Sequence, residues 1–183
     1  TLTNTNVTTS GVITNASLNL IPQGVTESTR VGRKCVVKSV HLRGMVTLRQ
    51  STNGAQCADR FRMIVYLDKQ ANGATATVSG DDGLLSSAVI DSFRDLNNTG
   101  RFYVLSDKTF AMNPAAAEGN AAVNICERIY HLQLNKRCNI PLEFSSTTGA
   151  ISELRSNNIG VMCIASETVV NVSQVRYTTR VRF

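Results

Sequence analysis

The chain has 183 residues, 42% of them hydrophobic and 17% charged, with 19 Lys and Arg against 13 Asp and Glu for a formal net charge of +6. That balance excludes a disordered chain and suffices for one buried core, and the basic excess favours polyanionic partners without naming one. No apolar run reaches the length of a membrane helix, and Thr1-Leu2-Thr3-Asn4-Thr5-Asn6 lacks the basic-then-apolar order of a secretory signal, so no membrane partner is expected.

Taken along the chain, the dominant period is two. A weak alternation over 12–21 predicts the first strand. The second, over 36–49, is clear: Val36, Val40, Leu42, Val46 and Leu48 share one parity with the odd positions Ser39, His41, Arg43, Thr47 and Arg49 opposite. A third spans 60–68, with Phe61, Met63, Val65 and Leu67 on one side and Arg60, Arg62, Ile64 and Tyr66 on the other. Between residues 81 and 98 lies the one helical signal, a turn or two over 86–90 or 92–96. Strands then follow near 101–112, 123–134, 139–145 and 158–166. The last, over 175–183, sets Val175, Tyr177, Thr179, Val181 and Phe183 against Arg176, Thr178, Arg180 and Arg182.

Eight strands separated by Gly, Asn, Asp and Ser clusters predict an all-β protein, an eight-stranded antiparallel jelly-roll sandwich forming a single domain over residues 1–183. With 5% aromatics and no Trp, its core must be built mostly from aliphatic side chains.

The chemistry-bearing residues are few. The patterns of zinc proteases, nucleophile elbows, phosphate loops and dinucleotide folds are absent, and two histidines, His41 and His131, both within strand patterns, give a nucleophile little choice of base, so no catalytic residue is expected. Cys35, Cys57, Cys126, Cys138 and Cys163 are odd in number and lack zinc spacing, which predicts free thiols in a reducing compartment. Asp81 and Asp82, with Asp68 nearby, offer oxygens to Ca²⁺ but lack EF-hand spacing and read as turn formers; no metal and no cofactor are expected.

The arginines are patterned. Arg43 and Arg49, Arg60 and Arg62, and Arg176, Arg180 and Arg182 each occupy the polar parity of a half-buried strand. If those three strands face the same way, they form a positive surface. Arg forks grip phosphate in two places and few exposed aromatics stand beside them, so the expected contact is nonspecific, with the backbone of a nucleic acid.

Three strings carry a family resemblance. They are Arg30-Val31-Gly32-Arg33-Lys34 leading into Val37-Lys38-Ser39-Val40-His41-Leu42-Arg43-Gly44, then Arg62-Met63-Ile64-Val65-Tyr66-Leu67-Asp68-Lys69-Gln70-Ala71-Asn72-Gly73, then Phe93-Arg94-Asp95-Leu96-Asn97-Asn98-Thr99-Gly100-Arg101-Phe102-Tyr103-Val104-Leu105-Ser106-Asp107-Lys108. In this order they resemble the coat proteins of small circular Rep-encoding single-stranded DNA viruses, whose capsid is similar to that of satellite tobacco necrosis virus. The resemblance implies a non-enzymatic jelly roll that self-assembles into a T = 1 icosahedral homo-oligomer around circular single-stranded DNA, found in the virion and, during assembly, in the host nucleus or cytoplasm. Such proteins begin with a basic arm, whereas residues 1–16 carry no Lys or Arg. About 60 copies at +6 supply about +360, far below the roughly one negative charge per nucleotide of a kilobase-scale genome, so a basic arm upstream of Thr1 is expected. Shell contacts are expected from the loops at 51–59, 69–87, 113–122 and 145–158. A secreted jelly-roll binding module, lectin-like or a trimeric ligand, is the second reading; a cupin-like enzyme, which needs clustered histidines, is the third.

Overall fold

The computed structural model describes residues 2–48, 59–71, 73–112, 128–166 and 173–183. Among them are ten strands: β1 (Leu2–Val7), β2 (Val12–Asn15), β3 (Lys34–Leu48), β4 (Asp59–Asp68), β5 (Thr77–Ser79), β6 (Gly83–Leu85), β7 (Phe102–Met112), β8 (Arg128–Glu143), β9 (Asn158–Ala165) and β10 (Ser173–Arg182). Their only helical element is a 3-10 turn at Ile151–Glu153. One four-stranded sheet, here sheet A, runs β1-β10-β3-β8 and a second, sheet B, runs β2-β9-β4-β7; β5 and β6 form a short parallel pair. The all-β, antiparallel prediction therefore holds for both large sheets, while the strand count exceeds eight and a third small sheet is present.

The pairings have a simple logic. β1 pairs with β10, β2 with β9, β3 with β8 and β4 with β7, all antiparallel, so one half of the chain runs back along the other as a two-stranded ribbon. Rolling that ribbon up brings β10 against β3 and β9 against β4, which closes two layers and leaves fewer free edges.

Three expectations need correction. The segments near 123–134 and 139–145 belong to the single strand β8, whose described part starts at Arg128. Asn135-Lys136-Arg137 looks like a break because β8 is an edge strand wetted there on both parities, and the register slips just beyond it, between Arg137 and Ile140 on β8 and between Val37 and Ser39 on β3. The 12–21 strand shrinks to four residues, and β1, with only Val7 and Thr3 buried among its side chains from Thr3 onward, has too little apolar alternation to be seen in the sequence. Third, the 81–98 segment is not helical: β6 is extended and 86–98 is a chain of turns.

Between the sheets lie Val40, Leu42 and Val46 of β3, Phe61, Met63 and Val65 of β4, Leu132 and Ile140 of β8, Val161 and Cys163 of β9, and Val175 and Tyr177 of β10. Tyr177 crosses the gap, its hydroxyl 2.6 Å from Thr14 Oγ1. Gly44 faces it on β3; a Cβ there would sit 2.4 Å from Tyr177 Cβ and 2.3 Å from the Arg176 carbonyl, so the close approach of β10 needs a residue without one.

The sheets differ on their outer faces. On sheet B, Ile64, Tyr66, Met162 and, from β7, Phe102 are roofed by Leu84 and Leu85, a second apolar cluster that explains why β4 is apolar at Ile64 and Tyr66 on its otherwise polar parity and why all of β9 is buried. On sheet A, β10 keeps the alternation of a one-sided sheet, buried at Ser173, Val175 and Tyr177 and exposed at Arg176, Thr178, Arg180 and Arg182.

Candidate functional site

The open face of sheet A is where the patterned arginines meet. Antiparallel register sets Arg43 of β3 across from Thr178 of β10, with Arg176 opposite Met45, Arg180 opposite His41 and Arg182 opposite Ser39. Directly opposed residues share a face, so all four arginines point outward, and all four are exposed. No two oppose each other directly; Arg43 lies diagonally between Arg176 and Arg180, where like charges repel less than in a direct pair.

β8 extends the surface. Across β3 it sets Gln133 opposite Arg43, Asn135 opposite His41 and Arg137 opposite Ser39. His41 Nε2 lies 3.1 Å from Ser39 Oγ, which steadies the ring on this face. Here sequence reasoning missed Arg137 and Asn135; the signal was the odd-position polar run of β8, obscured by the apparent break at 135–137. His41, Arg43, Asn135, Thr178, Arg180 and Arg182 line a shallow depression of about 480 Å³.

Electrostatically the face is one-sided. Among the described residues no carboxylate lies within ion-pair distance of Arg43, Arg137, Arg176, Arg180 or Arg182; the acid on this face, Glu143, sits at the far end, 4.0 Å from Lys34. Exposed cations held this close without counter-charge repel one another, and an incoming anion removes that cost. A flat strip of guanidinium forks separated by Thr, Asn and Gln donors suits a chain of phosphates rather than one small anion.

Arg60 and Arg62 do not join this surface. They lie on β4 of sheet B, across the core, and both are engaged: Arg60 grips Asp91 with two bonds of 3.0 and 2.7 Å, and Arg62 grips Asp107 at 2.8 and 2.7 Å while donating to the carbonyls of Ile90 and Ser92. The Asp107 hydrogen bonds hold the Arg62 proton still more firmly than usual. Their function is to strap the 86–98 segment to sheet B, so the common positive surface forms from β3 and β10, with β8, and without β4. Arg49 lies outside the described residues.

The other candidates fall elsewhere. Asp68 and Asp82 share the guanidinium of Arg101, which stands where a cation between these acids would be. Cys35, Cys138 and Cys163 are free, and Cys57 and Cys126 lie outside the described residues. Burial pushes the Cys163 thiol up to about 12, and burial also raises Cys35 and Cys138. Native protein treated with iodoacetamide near neutral pH is therefore expected to leave Cys163 unmodified until denaturant is added; peptide mass analysis showing equal labelling with and without denaturant would contradict the closed two-sheet core.

No protein-family model matches the chain, and no curated protein matches it.

Proposed function

We propose that this chain is the coat protein of a small single-stranded DNA virus, a jelly roll that assembles with copies of itself into a T = 1 shell and holds its genome by nonspecific contacts to phosphate. The observation that carries this reading is the outer face of sheet A, a solvent-exposed sheet surface presenting Arg43, Arg137, Arg176, Arg180 and Arg182 with no described acid to pair with. The jelly-roll part of the proposal is supported by the rolled ribbon of pairings, in which the strands of the long ladder interleave as β1-β10-β3-β8 and β2-β9-β4-β7. On this reading the arginine-bearing middle of sheet A faces the shell interior, where it meets the genome backbone, while the Lys34 end of sheet A and the strapped covering segment of sheet B lie at the flanks between copies.

The test joins assembly to binding. Electron microscopy of the purified chain should show uniform shells; a monomer or discrete trimer would favour the secreted binding module instead. Binding of a fluorescent oligothymidylate, measured across a salt series, should weaken steeply with ionic strength. Changing Arg176, Arg180 and Arg182 together to Gln should flatten the plot of log affinity against log salt by about 2, since each lost phosphate contact removes about 0.7 from the slope for a single strand. Arg60→Gln, on the opposite face, should leave the slope unchanged. Equal slopes for the parent and the triple variant would sink the assignment of sheet A.

A further inference from the structure

On the other side of the molecule, the 86–98 segment displays apolar side chains on a rigid base. Val89, Phe93 and Leu96 are 53%, 87% and 84% exposed. Yet the backbone that carries them is tied down: Ser86 N–H donates to the Phe93 carbonyl at 3.0 Å, Asp95 N–H to the Leu84 carbonyl at 3.1 Å, and Ser87 N–H to Ser92 Oγ at 3.0 Å, while Arg60 and Arg62 clamp Asp91 and the Ile90 and Ser92 carbonyls from below. A floppy loop would fold such side chains away from water. A braced one keeps them presented, and this costs free energy unless they are covered.

A matching hollow exists on the same chain. At the Lys34 end of sheet A, a hollow of about 380 Å³ is lined by Lys34, Val36, Pro141 and Glu143, with Ser156 and Asn157 beside them. Lys34 opposes Glu143 and Val36 opposes Pro141 on the outward side of sheet A. The Phe93 knob rides on the covering of sheet B, so the whole core separates the two and one chain cannot fill its own hollow. Their charges complement each other: exposed Arg94 flanks the knob, and among the described residues the Glu143 side chain, 45% exposed, has Lys34 at 4.0 Å as its one ion-pair partner.

Building on the container reading above, we propose that the occupant of the hollow is a second copy of this chain: Phe93 of one copy enters the hollow of the next, with Arg94 meeting that copy's Glu143. Because knob and hollow are different surfaces, the contact is head-to-tail, the kind that propagates from copy to copy instead of stopping at a dimer and closes a ring where the rotation between copies closes.

Two measurements test it. Phe93→Asp should raise the protein concentration needed for assembly by about 30-fold or more, the size of a hot-spot loss, with the circular dichroism spectrum unchanged. Mixing Phe93→Cys protein with Val36→Cys protein under mild oxidation should give a 93-to-36 crosslink, assigned by peptide mass, that neither variant forms alone; this arm stays decisive even if Phe93→Asp fails to fold. Parent protein that assembles while folded Phe93→Asp assembles equally well overturns this contact and leaves the container reading intact. So does a crosslink that joins position 93 to position 93. A parent that stays monomeric at high concentration overturns both.

Discussion

Replacing Arg30 with Met is expected to remove about 3–5 kcal/mol of stability, because three carbonyls lose their buried donor, although Met has similar length and is apolar. Arg30 is 1% exposed. Its Nε donates to the Ile21 carbonyl at 2.9 Å, its two terminal nitrogens donate to the carbonyls of Gly32 and Ser146, and its guanidinium stacks 4.3 Å above the Phe144 ring. One fork thus joins the connection before β3 to the turn after β8. With Met those carbonyls lose their donors, each at about 1–3 kcal/mol if water cannot reach it. Arg30→Lys keeps the charge but not the planar three-way reach, and should recover only part of the loss. Urea unfolding at fixed protein concentration measures both. A Met variant within about 0.5 kcal/mol of the parent, the range of ordinary surface changes, would show that water serves those carbonyls and that Arg30 is no keystone.

Asp68→Ala should have a comparable effect, about 3–5 kcal/mol, or a fall in melting temperature of about 10 °C for a chain of this size. The Asp68 side chain is fully buried and accepts from Arg101 at 3.0 and 2.9 Å and from the Gln70 N–H at 3.0 Å. Removing it leaves Arg101, 13% exposed, with Asp82 alone. The double change Asp68→Leu with Arg101→Met should cost clearly less than the sum of the singles, because it removes the stranded charge along with its partner. Strict additivity in thermal unfolding would mean that the two do not act as a pair.

These residues also show where the sequence is legible. Period-two alternation located β3, β4 and β10 within two residues, because each is long enough to alternate and has one parity packed into the inter-sheet core. It predicted that Arg43, Arg176, Arg180 and Arg182 share the wet parity of their strands, and the register of β3 with β10 brings them onto one surface. It failed at Arg30 and Val31, where hydropathy reads backwards: Arg30 is buried while Val31 is 87% exposed. Nothing local distinguishes an arginine that will find three carbonyls from one that will face water, since the carbonyls come from residues 21, 32 and 146. The same holds for Arg60 and Arg62, which share the alternation of the other arginines but meet Asp91 and Asp107 from distant parts of the chain.

What the amino-acid order determined alone was the period, and with it the strand-rich, antiparallel character, the aliphatic core and the set of outward arginines, because alternation is a property of neighbouring residues. Which sheet each strand joins, which parity of β4 is roofed by Leu84 and Leu85, and which arginines are neutralised and which remain open were decided by the rolling of the ribbon. Those outcomes depend on contacts between residues tens of positions apart, and a charge is spent or available according to what the fold sets beside it.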